Sequence, residues 1–234
     1  MDIPSVFFSA SPAQAFREGK RIQHGLLTNL EKSALLWLAR HTPARINSDH
    51  LTSLALAAML AAGFAYWWSR WNRWGLVAVV VCLALNWLGD SLDGTLARFR
   101  NRQRPRYGFY VDHMCDAFSL LFLLGGLSLS GFISGVVAAG LLVAYLMLLI
   151  EVCLATYTLG DFKMSYFGFG PTELRIVLAV GTLALWRDPT VAFLGHRYRL
   201  FDFGGAIAIA GMFLILTLSV VRNIPRLYRE ERLS

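Results

Sequence analysis

The stretch Trp74-Gly-Leu-Val-Ala-Val-Val-Val-Cys-Leu-Ala-Leu-Asn86-Trp-Leu-Gly-Asp90-Ser-Leu-Asp93-Gly94-Thr-Leu-Ala97-Arg98 decides the fold. Its apolar part, Trp74–Leu96, is long enough for a helix to cross the hydrocarbon core of a bilayer, which takes about 20 mostly apolar residues. Near its end it carries two aspartates. An ionised carboxylate in such a segment is costly, so its default reading is functional and calls for a partner. A basic loop follows, and a second apolar stretch then opens on Gly108-Phe-Tyr-Val-Asp112-His113-Met-Cys-Asp116.

Outward from here the apolar pattern repeats. Candidate spans run Leu51–Trp68, Trp74–Leu96, Phe109–Leu129, Phe132–Tyr157, Glu173–Trp186 and Phe203–Val221, the fifth being the shortest. Of the 234 residues, 56% are hydrophobic and 16% charged, against roughly 25% charged in soluble domains. A soluble domain could not hide so much apolar surface, so lipid must serve as solvent for part of it. The expected fold is all-α: a polytopic membrane protein of six transmembrane helices preceded by an interfacial amphipathic helix. Gly63, Gly125, Gly126, Gly140 and Gly211 permit close contact between such helices. Cys82, Cys115 and Cys153 fall in apolar stretches and read as small buried hydrophobes, neither a disulfide framework nor a zinc site.

The amphipathic helix is expected within Pro12–Arg40. Leu26, Leu30, Ala34 and Leu38 recur at a helical period with Leu27 and Leu35 alongside, and Lys20, Arg21, Lys32 and Arg40 supply the polar side. Such a helix suits the headgroup region; a surface helix packed on the domain is the alternative. The start, Met1-Asp2-Ile3-Pro4, does not read as a signal peptide. Asn47-Ser48-Asp49 reads as a helix start, with Ser48 or Asp49 able to cap it. The expected organisation is a cytoplasmic N-terminal segment (1–45), a catalytic membrane domain (46–222) and a short basic tail (223–234).

The net charge of +7 is placed as membrane proteins place it, between apolar runs, and no nucleic-acid recognition module can be read. With six spans, one side collects Arg17, Lys20, Arg21, Lys32, Arg40, Arg45, the arginines at 98, 100, 102, 104 and 106, Lys163, Arg175, and Arg222, Arg226, Arg229 and Arg232. The other side has Arg70, Arg73, Arg187, Arg197 and Arg199, a count of seventeen against five. The positive-inside rule then puts both termini in the cytoplasm.

Asp90 and Asp93 are three apart, and Asp112 and Asp116 four apart. Either spacing sets both carboxylates on one helix face with Cβ atoms about 5–6 Å apart. The linker is short, so the two helices are expected to be antiparallel neighbours with the carboxylate pairs facing. Four negative charges at such range repel, and either protons or cations must relieve them. Hard oxygen ligands suit Mg²⁺, Mn²⁺ or Ca²⁺, and two cations sharing carboxylates suit a diphosphate. Gly94 and Ala97 lie on the same face and open a notch where a nucleotide can approach the backbone. Arg98 can pair with phosphate oxygens through its planar fork. The Arg-rich loop would draw polyanions.

These residues resemble the signature of the CDP-alcohol phosphatidyltransferase family, D-x-x-D-G-x-x-A-R, a spacer, then G-x-x-x-D-x-x-x-D. Asp90, Asp93, Gly94, Ala97, Arg98, Gly108, Asp112 and Asp116 match in order. The spacer Phe99–Tyr107 is slightly longer than is usual in the family. The resemblance implies an integral membrane transferase that moves a phosphate-linked group from a CDP-alcohol to an acceptor alcohol and releases CMP. It implies two divalent cations, Mg²⁺ or Mn²⁺, held by Asp90, Asp93, Asp112 and Asp116, with Asp116 also a general base. It implies that Asp93, Gly94, Ala97, Arg98 and Gly108 take the CDP moiety, and it suggests a homodimer. Asp112-His113-Met-Cys-Asp116 further resembles the D-H-x-x-D form of choline and ethanolamine phosphotransferases, as Phe169-Gly170-Pro171-Thr172-Glu173 resembles their G-P-x-E stretch. Histidine as a residue type is suited to take a proton from an alcohol, so His113 is a second candidate base; its bland alternative is a helix histidine bonded to a backbone carbonyl. Glu173 and Arg175, at the start of the fifth span, either contact the acceptor or pair with each other or with Lys163. The competing readings are a divalent-cation transporter and a non-catalytic membrane protein.

Overall fold

The computed structural model describes residues 28–159 and 171–231. Among these residues there are seven helices and one small hairpin: α1 (Thr28–His41), α2 (Ser48–Trp68), α3 (Trp74–Phe99), α4 (Pro105–Ser130), α5 (Gly135–Leu159), α6 (Pro171–Ala184), β1 (Thr190–Phe193), β2 (His196–Arg199) and α7 (Leu200–Glu230). Five of them, α2, α3, α4, α5 and α7, are long and apolar enough to cross a membrane, as the all-α reading expects. The expected fifth span falls on α6, whose 14 residues make only about 21 Å of helix at 1.5 Å per residue. The first half of the expected amphipathic helix, Lys163 and the Phe169-Gly170 pair lie outside the described residues.

α2 is the hub, because its small residues admit neighbours on two sides. It packs against both α3 and α4, whereas α3 and α4 make little direct contact with each other. α3 and α4, expected as antiparallel neighbours, do run antiparallel, each set by its own contacts with α2, and few of their backbone positions come close to one another. A Cβ on Gly126 of α4 would run into the backbone of Gly63 of α2, and one on Gly63 into the carbonyl of Phe122. Only paired glycines let these backbones approach so closely. Gly126→Leu is accordingly expected to cost about 1–3 kcal/mol or more by overpacking, seen as a lower unfolding midpoint in detergent.

Contacts along the helices give their directions. The ends of α2 and α3 are met crosswise: Thr52 touches Asp93, while Ala65 and Ser69 touch Gly75, so the two are antiparallel. Gly63 meets Gly126, and Arg70 donates to the carbonyl of Leu129 (3.2 Å), so α2 and α4 are parallel. α6 runs antiparallel to α3, with Arg175 at Asn86 and Trp186 at Trp74. The core of this group holds Met59, Tyr66, Leu76, Val79, Leu83 and Leu127. The Tyr66 hydroxyl, which burial would otherwise leave unpaired, bonds Thr182 of α6 (2.5 Å).

α5 and α7 form a second pair. Val137 meets Gly205, Gly140 meets Ile209, and Glu151 meets Ser219 and Asn223, so these two run parallel. Ahead of α7, Leu194 and Gly195 both take positive φ (49° and 81°), as a two-residue turn between twisted strands requires, and close the hairpin at the Phe193–His196 pair. This hairpin was not expected from the sequence. At the same end of the molecule Trp67, Trp68, Trp71 and Trp74 are exposed, the composition of a membrane–water boundary.

α1 is seated on protein. Leu35 and Ala39 are buried against Leu51, Leu92 and Leu96, while Trp37 points outward, 59% exposed. α2 begins one residue earlier than expected: Asn47 holds the cap position, and the imidazole of His50 accepts its N–H (3.1 Å). Asp49, one of the two expected caps, instead pairs with Arg104.

Candidate functional site

At the end of the molecule opposite the tryptophans, where α3 and α4 make little close backbone contact, the four aspartates border the gap between the two helices. Asp90 and Asp93 come from the last turns of α3, Asp112 and Asp116 from the first turns of α4. Each is half-buried, and the four lie within electrostatic range of one another. The spacing that placed each pair on one face therefore also brings the pairs together across the gap, as the sequence led one to expect.

Each carboxylate of α3 has defined partners. The hydroxyl of Thr52 donates to Oδ2 of Asp93 (2.6 Å), and the N–H of Gly94 donates to its Oδ1. Arg175 of α6 forms an ion pair with Oδ2 of Asp90 (2.6 Å), while its Nε donates to Oδ1 of Asn86 (2.8 Å). Asn86, buried, completes itself by donating to the carbonyl of Ala55 (3.1 Å). Arg175 thus pairs with Asp90 and Asn86 of α3. Among the described residues no three of His, Cys, Asp and Glu converge tightly enough to enclose a cation as the side chains stand. The donor chemistry nevertheless suits a hard cation: four carboxylates on two facing helices, with hydroxyl and amide oxygens beside them.

Arg98 is exposed and lies back over Gly94; a Cβ there would stand 3.4 Å from one of its terminal nitrogens. Gly108, in the first turn of α4, has open space where a side chain would go. Ala97 lines a cavity of about 340 Å³ with Asn47, Asp49, Arg100, Arg102 and Arg104. His113 donates from Nδ1 to the carbonyl of Phe109 (2.8 Å), one turn back, with the two rings 4.1 Å apart. A carbonyl can only accept, so Nδ1 carries a hydrogen, and in the neutral ring the lone pair is then on Nε2.

Several residues here had no sequence signal. Glu31 of α1 accepts from Trp87 (3.0 Å), Ser91 (3.3 Å) and Thr172 (3.0 Å), and so ties α1, α3 and α6 together behind the gap. Arg100 grips the α1–α2 link, donating to the carbonyls of Ile46 (2.5 Å), Thr42 (2.8 Å) and Pro43 (3.0 Å). Part of the basic loop is therefore engaged with protein, and Arg104 also lies 4.2 Å over the ring of Tyr107. Glu151 is buried within the otherwise uncharged α5; it accepts from Ser219 (2.6 Å) and Asn223 (2.9 Å).

The sequence model of a family described as CDP-alcohol phosphatidyltransferase matches residues 45–221, a segment that contains every aspartate of the gap. No curated protein matches the chain.

Proposed function

Because the chain belongs to the CDP-alcohol phosphatidyltransferase family, an integral membrane transferase of phospholipid synthesis, we propose that it transfers a phosphate-linked group from a CDP-alcohol to an acceptor alcohol and releases CMP. The observation that carries this reading is the convergence of two carboxylate pairs, from α3 and α4, on one gap.

In this reading Asp90, Asp93, Asp112 and Asp116 hold two divalent cations, Mg²⁺ or Mn²⁺, which when bound neutralise the diphosphate and its leaving group. The chain's own groups supply the rest. The backbone at Gly94 and Gly108 leaves room for the nucleotide, beside Ala97. Arg98, resting on Gly94, pairs with a phosphate oxygen. The acceptor hydroxyl attacks the phosphorus that bears the transferred group, and the bond from that phosphorus to the CMP oxygen breaks. The hydroxyl proton goes to Nε2 of His113 or to Asp116. The bond from Nδ1 to Phe109 fixes His113 in the tautomer that can accept it. That same bond was the bland reading of His113, and here the two readings coexist.

The parallel run of α5 and α7 supports a six-span architecture. The chain between them must return across the thickness of the molecule, and in this reading α6 lies on that return. In this reading the seventeen-to-five distribution of basic residues puts the gap and both termini on the cytoplasmic side. The family resemblance suggests a homodimer.

Purified protein incubated with Mn²⁺ or Mg²⁺ and a panel of CDP-alcohols tests the reading by CMP release. CMP from CDP-choline or CDP-ethanolamine with diacylglycerol establishes the aminoalcohol branch, which the Asp112-His113 pattern favours. CMP from CDP-diacylglycerol with a soluble alcohol establishes the phosphatidyl branch. No CMP from any pair, with divalent ions carried into proteoliposomes, replaces the reading with a cation transporter. Gly94→Leu is expected to raise the KM for the CDP-alcohol roughly tenfold or more, since filling the notch removes a contact of 1.4 kcal/mol or greater. It would also push the Arg98 guanidinium off its seat. An unchanged KM would argue against nucleotide contact at Gly94.

A further inference from the structure

The residue best placed to contend with a cation for the site is Arg175. Its guanidinium is divided between two partners on α3: Nη2 is on Oδ2 of Asp90 and Nε on Oδ1 of Asn86. The pair is largely withdrawn from water, the two side chains being 16% and 26% exposed. A partly buried ion pair of this kind has given up hydration on both sides and is held by geometry. Arg175 also lies within electrostatic range of Asp116, so its charge serves both helices of the gap. Its helix is anchored close by, where Thr172 donates to Glu31.

We infer that Arg175 is a built-in competitor for the divalent cation at Asp90, releasing that carboxylate when the cation binds and pivoting on Asn86. The inference rests on the proposed cation site. The geometry allows the exchange without moving α6 far, because Nε can keep its bond to Asn86 while Nη2 lets go of Asp90. Positive charge in the gap is then never missing: it comes from the guanidinium before loading and from the cation after. Arg175 in this role is a positioning residue, setting how much cation is needed to occupy the site.

The test is Mn²⁺ binding by the full chain in detergent, followed through loss of the six-line EPR signal of the free aquo ion. Arg175→Met keeps the length of the side chain and removes the charge; it is expected to bind Mn²⁺ roughly tenfold or more tightly than wild type, the scale of one charge-assisted hydrogen bond. Asn86→Ala keeps the charge and removes the pivot, and is expected to shift affinity the same way by a smaller factor. A structural defect would weaken binding in both. Unchanged or weaker binding in Arg175→Met overturns the inference. So does tightening in Arg175→Met with no shift in Asn86→Ala, which would leave only a remote charge effect. Asp112→Asn serves as the control: if it leaves Mn²⁺ binding intact, the cation site itself is wrong.

Discussion

Asp112→Asn is expected to abolish CMP release, a loss of at least roughly a thousandfold, with the helical fold intact. The substitution changes almost no volume and removes one of four like charges around the gap, so folding should not suffer. In the proposed reading it removes a charged oxygen donor for the cations, one within electrostatic range of Asp93. Cations that neutralise a diphosphate stabilise its transition state by several kcal/mol, and each 1.36 kcal/mol is tenfold in rate. Two measurements check the cause: CMP release at saturating Mn²⁺, and Mn²⁺ affinity itself. Both should fall. A near wild-type rate would remove the shared-cation picture altogether.

The second large effect concerns His113. His113→Ala is expected to lower the rate by about 10²–10⁴, the usual contribution of a positioned general base. The structural background is mild, because the ring's bond to Phe109 lies within its own helix, and alanine suits a helix interior. The rate loss should therefore appear with an unchanged unfolding midpoint and with Mn²⁺ binding largely retained, unlike Asp112→Asn. A loss smaller than about tenfold would return the histidine to a structural role and leave Asp116 as the base. The two variants thus separate cation binding from proton transfer at residues adjacent in sequence.

How much of this could be read in advance depended on range. The carboxylates of α3 and α4 announced themselves because their chemistry is out of place in apolar helices and their spacing is local. The long spans were legible for the same reason: a run of apolar residues is a local property. The partners of those carboxylates were not. Arg175 is 85 positions from Asp90 and Thr52 is 41 from Asp93, and no periodicity links them. Nor did the short linker reveal that both α3 and α4 would pack mainly against α2. That outcome is set by glycines on α2 and α4 meeting backbone to backbone, and several glycines suited to such contacts were visible without any sign of which would pair. The hairpin escaped because its strands are four residues each and its turn, Leu194-Gly195, lacks the usual asparagine or aspartate ahead of the glycine. Arg175 was named as a residue of interest, and Glu31 and Glu151 were passed over, because a single charge acquires meaning only from what the fold puts beside it.

The grip of Arg100 on the carbonyls of Thr42, Pro43 and Ile46 has a consequence for recognition. It staples the start of the α3–α4 loop to the link between α1 and α2, so the conformational entropy of this arginine-rich rim is surrendered during folding. A polyanion arriving at the gap meets a rim that is already ordered at its first turn, and its binding free energy is not spent on freezing that part of the loop.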